Sequence, residues 1–502
     1  MSLAHPDQER IVVETTTGPV EGSVWDGVAS FKGIPFAAPP FGANRFKPPQ
    51  PPQPWREVRR ANAYGWVSPQ SPYPEPFRHM LGDAGATGED CLNVNVWTPA
   101  PRNGRRPVMV WIHGGAFLRG SGAIPVYDGT RFARDGVVCV TINYRLGADG
   151  FLWLGEGAVN RGLLDQLAAL RWVQANIEAF GGDPASITVF GESAGAFSVA
   201  SLIASEQSSG LFQRAILQSG AGHHVISAAT AQLISAMLCE RLGVPQTADA
   251  LAAVPIERFT QAQSELDVER AMQPDPRRWG EVATNGMLFE PVIDGDLLRE
   301  RPVDAMVKGA GARLQVMVGT TSEEWRFFTV PTGVIDHITE ERVLGLAQRQ
   351  GLDPANAVAT YREASQGATA GDLYTAIITD SFFRVPAIRV AEAHARNRAQ
   401  AYVYEFAWRS PMFDGRLGAC HALELGFVFD NLDRAGPMLG DDASQSLADE
   451  VHRTWVEFAT SGNPGWRCYD LSRRPVKRFG GEGGSVVDDP GASTRQLWEG
   501  IR

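Results

Sequence analysis

Ile187-Thr188-Val189-Phe190-Gly191-Glu192-Ser193-Ala194-Gly195 decides how this 502-residue chain is read. Ile187 to Phe190 is the apolar, β-branched run of a buried strand, and Ala196 to Ala204 continues in the small, apolar pattern of a helix. A strand that passes through Gly-x-Ser-x-Gly into a helix holds its serine on a sharp turn, the arrangement of a nucleophile elbow. With 53 glycines in the chain the five-residue pattern alone proves little. The strand before it and the helix after it carry the reading.

Further runs of the same kind are Val108 to Ile112, Val137 to Ile142, Ala215 to Leu217 and Leu314 to Val318, each closed by a turn or polar loop. They predict buried parallel strands. Between them Leu163 to Phe180 keeps helical spacing in Leu164, Leu167, Ala168, Leu170 and Trp172, and Gly181, Gly182, Asp183 and Pro184 are expected to stop that helix. Alternating strands and helices give an α/β fold whose mostly parallel central sheet carries helices on both faces. Ligands in such folds bind beyond the carboxyl ends of the strands, where Ser193 falls.

His113-Gly114-Gly115-Ala116-Phe117 follows the strand that ends at Ile112. Its glycines let backbone N–H groups approach a ligand, and with the N–H of Ala194 they predict an oxyanion hole of Gly114, Gly115 and Ala194. Taken alone, the segment also fits a tight strand-to-loop turn.

Composition bounds the rest. Hydrophobic residues are 44% and charged residues 21%, typical of a globular protein, and a net charge of −11 argues against nucleic acid. No apolar stretch reaches 18 residues, and Met1 to Glu14 lacks the basic and then apolar pattern of a signal peptide, so neither a membrane span nor export is expected. Five scattered cysteines without Cys-x-x-Cys spacing suggest reduced thiols, with no zinc site and no cofactor.

Further motifs stand in a fixed order: Phe31 to Ala37 with Pro39, Pro40, Gly42, Arg45 and Phe46, then Glu89 to Val96, Asn143 to Gly147, Asp165 and Gln166, Phe180 to Pro184, the elbow, and Gln218 to Gly220. In these the chain resembles the type B carboxylesterases, the family of cholinesterases and bacterial p-nitrobenzyl esterases, over nearly its whole length. The resemblance implies an α/β-hydrolase fold with helical insertions, one domain over residues 1–502, and a serine esterase acting on small-molecule carboxylic esters. It also implies the chain order Ser, acid, His. Carried over by position, the catalytic residues are Ser193, Glu324 and His421.

Glu324 lies in Gly319-Thr320-Thr321-Ser322-Glu323-Glu324-Trp325, next to a second glutamate. The family pattern gives the role to Glu324 and leaves Glu323 to the scaffold. Thr321 stands where the family often has Asn, and Trp325 resembles the bacterial branch. His421, in Gly418-Ala419-Cys420-His421, is one of nine histidines and is singled out by family register only. His394 and His452 read as solvated helix faces. His223 and His224 fall near the acyl pocket of the family, and both a substrate contact and an exposed loop remain open. Glu192 and Ser219 are expected to support the site, and Arg45 is expected to pair with Glu89. His421 acting as base implies a rate that falls at acid pH, from an ordinary pKa of about 6.5.

In cholinesterases the segment matching Ser68 to Cys91 carries a choline-binding tryptophan, which is missing here. Cation–π recognition favours Trp, so a choline ester is not the expected substrate. Tyr73, Phe77 and Met80 suit an apolar or aryl alcohol. Secreted relatives bridge the position of Cys91 to an upstream cysteine where this chain has Ser68, which agrees with a bacterial cytoplasmic setting. The competing readings are a non-catalytic binding protein of the same fold, which a complete triad argues against, and a lipase, amidase or peptidase with the same triad. The oligomeric state stays open, a monomer being one option.

Overall fold

Every side chain from Val108 to Ile112, Val138 to Ile142 and Ile187 to Phe190 is withdrawn from water. A strand covered on both faces cannot alternate polar with apolar residues, so such segments read as continuous apolar runs. The computed structural model describes residues 9–155, 159–481 and 485–501, and the first eight residues of the polar opening stretch lie outside them. The described chain forms two units. One takes in the residues up to Tyr73 with Asp83–Arg214 and His224–Arg301, the other Pro74–Gly82, Ala215–His223 and the chain from Pro302 onward.

In the first unit Arg106–Ile112 lies between Val138–Ile142 and Gly182–Glu192, parallel to both. The strands Glu9–Glu14, Pro19–Trp25, Val28–Pro35 and Asn93–Thr98 extend this sheet antiparallel from Val138–Ile142. These antiparallel strands add to the parallel ones expected from the sequence. Glu9–Glu14 buries only Val13, and Pro19–Trp25 only Val20 and Gly22, so these two strands lack the full burial of the central ones. The helices Arg161–Asn176 and Ala194–Ala204 pack on Gly182–Glu192 and on each other.

In the second unit Gln315–Thr321, Ala401–Phe406 and Pro475–Phe479 are parallel, and Val486–Asp488 closes the edge antiparallel. Helix Val385–Arg396 packs on Gln315–Thr321 and Ala401–Phe406. The helical insertions expected in this fold are Ala228–Leu242 and Ile256–Met272 in the first unit, and Glu340–Arg349, Pro354–Ala364 and Ala370–Thr379 in the second.

Several sequence expectations need correction. The helix from Arg161 ends at Asn176, a 3-10 turn covers Ile177–Phe180, and Gly181 turns the chain in the left-handed region. Asp183 and Pro184 do not stop the helix: they belong to the strand Gly182–Glu192, whose pairing with Arg106–Ile112 is irregular at this end, where a missing proline N–H is tolerated. His394 and His452 are buried, not solvated, because each lies on the inward stripe of its helix, with Nδ1 at 3.1 Å from the Val390 carbonyl and 2.7 Å from that of Val428.

Arg45 does not pair with Glu89, which is exposed. Its Nε donates to Asp149 Oδ1 at 2.8 Å and its Nη1 to the Val254 carbonyl at 2.9 Å, in a pair almost wholly buried. Asp149 lies in the first turn of the short helix Gly147–Phe151, so the guanidinium ties that turn to the chain around Val254. Removing one partner strands the other charge in the interior, so Arg45→Ala is expected to lower unfolding free energy by about 3–5 kcal/mol, read by urea denaturation.

Candidate active site

Ser193 caps the helix Ala194–Ala204 with φ +56 and ψ −122, a conformation that non-glycine residues rarely adopt. Neighbouring packing holds it there. A Cβ on Gly195 would collide with the Ile112 carbonyl, and one on Gly191 would lie 2.6 Å from the Gly195 carbonyl carbon. The two glycines therefore let the elbow press against the end of the strand Arg106–Ile112. Strand and helix then hold the serine on the turn between them, with Ala194 supplying the first N–H of the helix, where no carbonyl of the same helix can accept it. The partial positive charge of the helix end adds to the attraction for an anion.

The His113-Gly114-Gly115 segment meets the elbow directly. A Cβ on Gly114 would lie 2.8 Å from the Glu192 carbonyl oxygen and 3.1 Å from Ser193 Cβ. Gly115 follows at φ +108. Gly114, Gly115, Glu192, Ser193 and Ala194 thus stand in one cluster in the first unit. Glu192 is buried, with one carboxylate oxygen turned to Gly114.

His113 is buried and stacked on the Tyr144 ring at 4.5 Å. Its Nδ1 lies 2.8 Å from the Gly114 carbonyl, and a carbonyl can only accept, so Nδ1 carries the proton. Burial pushes its pKa down to about 4, against an ordinary value of about 6.5. Below pH 6.5 the unfolded chain takes up a proton that the folded one refuses, so stability is lost as pH falls from 6.5 to 4 and levels off below. For this single group the loss is about 3 kcal/mol. Thermal unfolding at pH 7 and pH 4.5 should therefore differ less in His113→Gln than in the wild type.

In the second unit Glu324 follows the strand Gln315–Thr321 by one turn and is fully buried. Its Oε1 accepts the Thr321 N–H at 2.8 Å, and its Oε2 lies 2.6 Å from His421 Nδ1. The His421 N–H also donates to the Glu324 carbonyl at 3.2 Å. Since the carboxylate only accepts, Nδ1 carries the proton and Nε2 is left as the basic nitrogen. Glu323 is engaged elsewhere: its carboxylate accepts the Ala419 N–H at 2.9 Å and pairs with Arg326 at 3.0 Å and with Arg409. Geometry thus separates the two adjacent glutamates.

Aromatic rings surround the imidazole, with centroids of Phe383, Phe328 and Phe327 at 4.8, 5.4 and 6.2 Å from that of His421. Phe77, expected from the sequence to face an apolar substrate, packs on Phe327 at 5.1 Å. Met80 is buried in the same unit and Tyr73 belongs to the other. Phe327, Phe328 and Phe383 were not anticipated. Their signal is aromatic density, in Trp325-Arg326-Phe327-Phe328 after the acid and in Phe382-Phe383. His224 is buried and stacked on Phe197 at 4.1 Å, so the exposed-loop reading fails for it.

The five cysteines are free. Among the described residues no group of His, Cys, Asp or Glu is arranged to hold a metal ion, and no helix is long and apolar enough to cross a membrane.

The profile of the carboxylesterase family matches residues 9–474. The para-nitrobenzyl esterase of Bacillus subtilis is 37% identical over 97% of this chain and 98% of its own length. The phenmedipham hydrolase of Pseudarthrobacter oxydans is 35% identical over 96% of this chain and 97% of its own. Among solved structures, the Geobacillus stearothermophilus carboxylesterase EST55 superposes with a TM-score of 0.85 at 38% identity, covering 97% of this chain and 99% of that one.

Proposed function

The chain belongs to the carboxylesterase family and is a carboxylic ester hydrolase, and from this premise we propose that it works through Ser193, His421 and Glu324 as one catalytic domain over residues 1–502. A serine hydroxyl is a weak nucleophile at neutral pH. His421 Nε2 removes its proton as Ser193 Oγ attacks the ester carbonyl, then returns a proton to the leaving alcohol. Glu324 keeps the proton on Nδ1 and stabilises the imidazolium as it forms. The N–H groups of Gly114, Gly115 and Ala194 hold the oxyanion, each on the order of 10²–10³-fold in rate. Water, activated by the same imidazole, then releases the acid from the acyl-enzyme.

The observation that carries this reading is the buried Glu324–His421 pair, 2.6 Å apart, which holds the proton on Nδ1 and makes Nε2 the basic nitrogen. Substrates with apolar or aryl alcohols are supported by the phenylalanines around His421. The lack of tryptophan between Ser68 and Cys91 speaks against choline esters. Free Cys91, with Ser68 where a bridging cysteine would stand, and bacterial relatives support a bacterial cytoplasmic enzyme.

The test is hydrolysis of p-nitrophenyl esters from acetate to long acyl chains, together with the anilide of the best acyl group. Turnover of the esters with little of the anilide is expected, and the best chain length sizes the acyl pocket. Folded protein that cleaves no ester, or that prefers the anilide, overturns the reading.

A further inference from the structure

Between the helices Ala370–Thr379 and Val385–Arg396 the chain makes a π-helical turn, Asp380–Arg384. Such turns are rare and cluster at functional sites, because the extra residue costs regular hydrogen bonding and re-aims side chains. This one grips the Glu324–His421 pair from several sides. Thr379 Oγ1, just before it, accepts the Trp325 N–H at 3.2 Å, and Arg384 Nη2 donates to the Ser322 carbonyl at 2.9 Å. Both flanks of the Glu323-Glu324 dipeptide are therefore tied to one turn. Phe382 packs on the Trp325 ring at 5.3 Å, and Phe383 on the His421 imidazole at 4.8 Å.

Arg384 is the cation of this turn. Its Nη1 lies 2.8 Å from Asp380 Oδ1 and its Nη2 3.6 Å from Glu405 Oε1, with the side chain largely buried. Asp380 also accepts the Tyr361 hydroxyl at 2.7 Å, and Trp498 Nε1 donates to that hydroxyl at 3.0 Å. Glu405 is shared with Arg478 at 2.6 Å. Burial alone would lower the Arg384 pKa, yet Asp380, Glu405, Tyr361 and Glu324 together raise it above its ordinary value, so the guanidinium stays charged. On the loop of His421 itself the neighbouring ionisable groups are Cys420, whose thiol burial pushes well up, and Glu424, which accepts from Gln218.

We propose that Arg384 is a positioning residue for the proposed catalytic pair: it fixes the turn that carries Glu324 through the Ser322 carbonyl, and its positive charge opposes a second positive charge on the His421 imidazole. The proposal rests on the reading of Glu324 and His421 as acid and base. Without the cation, His421 holds its proton to higher pH, and the acid limb of the activity profile moves up.

Arg384→Gln keeps a donor toward Ser322 and removes the charge. Its acid limb in kcat/KM for a p-nitrophenyl ester is expected to move up by about half to one pH unit, with KM within about twofold of wild type. Arg384→Lys keeps the charge and should leave the limb in place. Glu405→Gln retains Arg384 but removes one of its counter-charges, so its limb should move the opposite way. If Arg384→Gln does not fold, Glu405→Gln carries the test. An acid limb superposable on wild type in the folded charge variants overturns the proposal, even if kcat or Tm has dropped, since a merely structural role moves only those. Glu324→Gln, measured alongside, separates the two readings: near-normal activity there means that the acid was misassigned, whereas an inactive Glu324→Gln with an unmoved limb removes only the role of Arg384.

Discussion

Ser193→Ala is expected to lower kcat/KM for a p-nitrophenyl ester by about 10⁵- to 10⁶-fold, the loss that follows when a triad nucleophile is removed. The residual rate is expected to come from the proposed oxyanion donors and from substrate binding, which the substitution leaves in place. Stability should not fall, because alanine keeps the Cβ at the same φ of +56 and removes only a hydroxyl. Ser193→Gly separates strain from chemistry. It is equally inactive, and it relieves a conformation that costs a residue with a Cβ about 1–3 kcal/mol, so its Tm should exceed that of Ser193→Ala. Loss of activity within tenfold in either variant would show that another nucleophile carries the reaction.

The second large effect belongs to Glu324→Gln. Thr321 donates its N–H to Oε1, and a glutamine keeps that bond only by leaving its oxygen there. The amide nitrogen then faces His421 Nδ1, which must accept, so the ring proton moves to Nε2 and the basic nitrogen is lost. A fall in kcat of about 10⁴-fold is expected, the size of the same tautomer error in a serine protease triad, with KM little changed. Glu323→Gln is the control, since its carboxylate holds Ala419, Arg326 and Arg409. It should cost stability well before it costs comparable rate. The reverse ranking would exchange the roles of the two glutamates.

What was legible in the sequence follows from burial. The central strands are covered on both faces and announce themselves as apolar runs, and the elbow is marked by glycines that close packing requires. The antiparallel edge was not legible, since its outer strands bury few residues and leave a weaker pattern than the central ones. His394 and His452 were misread because helical spacing gives a face without saying what covers it. The resemblance named Glu89 for Arg45, whereas this fold sets Asp149 beside it, 104 residues away. His421 came from family register alone, and its place at Glu324 needed the fold. The π-turn Asp380–Arg384 is not among the sequence expectations, and its grip on Ser322 and Trp325 gives it meaning.

The most direct test of covalent catalysis by Ser193 is intact-mass analysis of the enzyme mixed rapidly with a p-nitrophenyl ester and quenched in acid, followed by peptide mapping. One acyl group per chain on the peptide containing Ser193, absent from Ser193→Ala, is the predicted result. Rapid turnover with no adduct under conditions where deacylation limits the rate, or an adduct on a different residue, would contradict it.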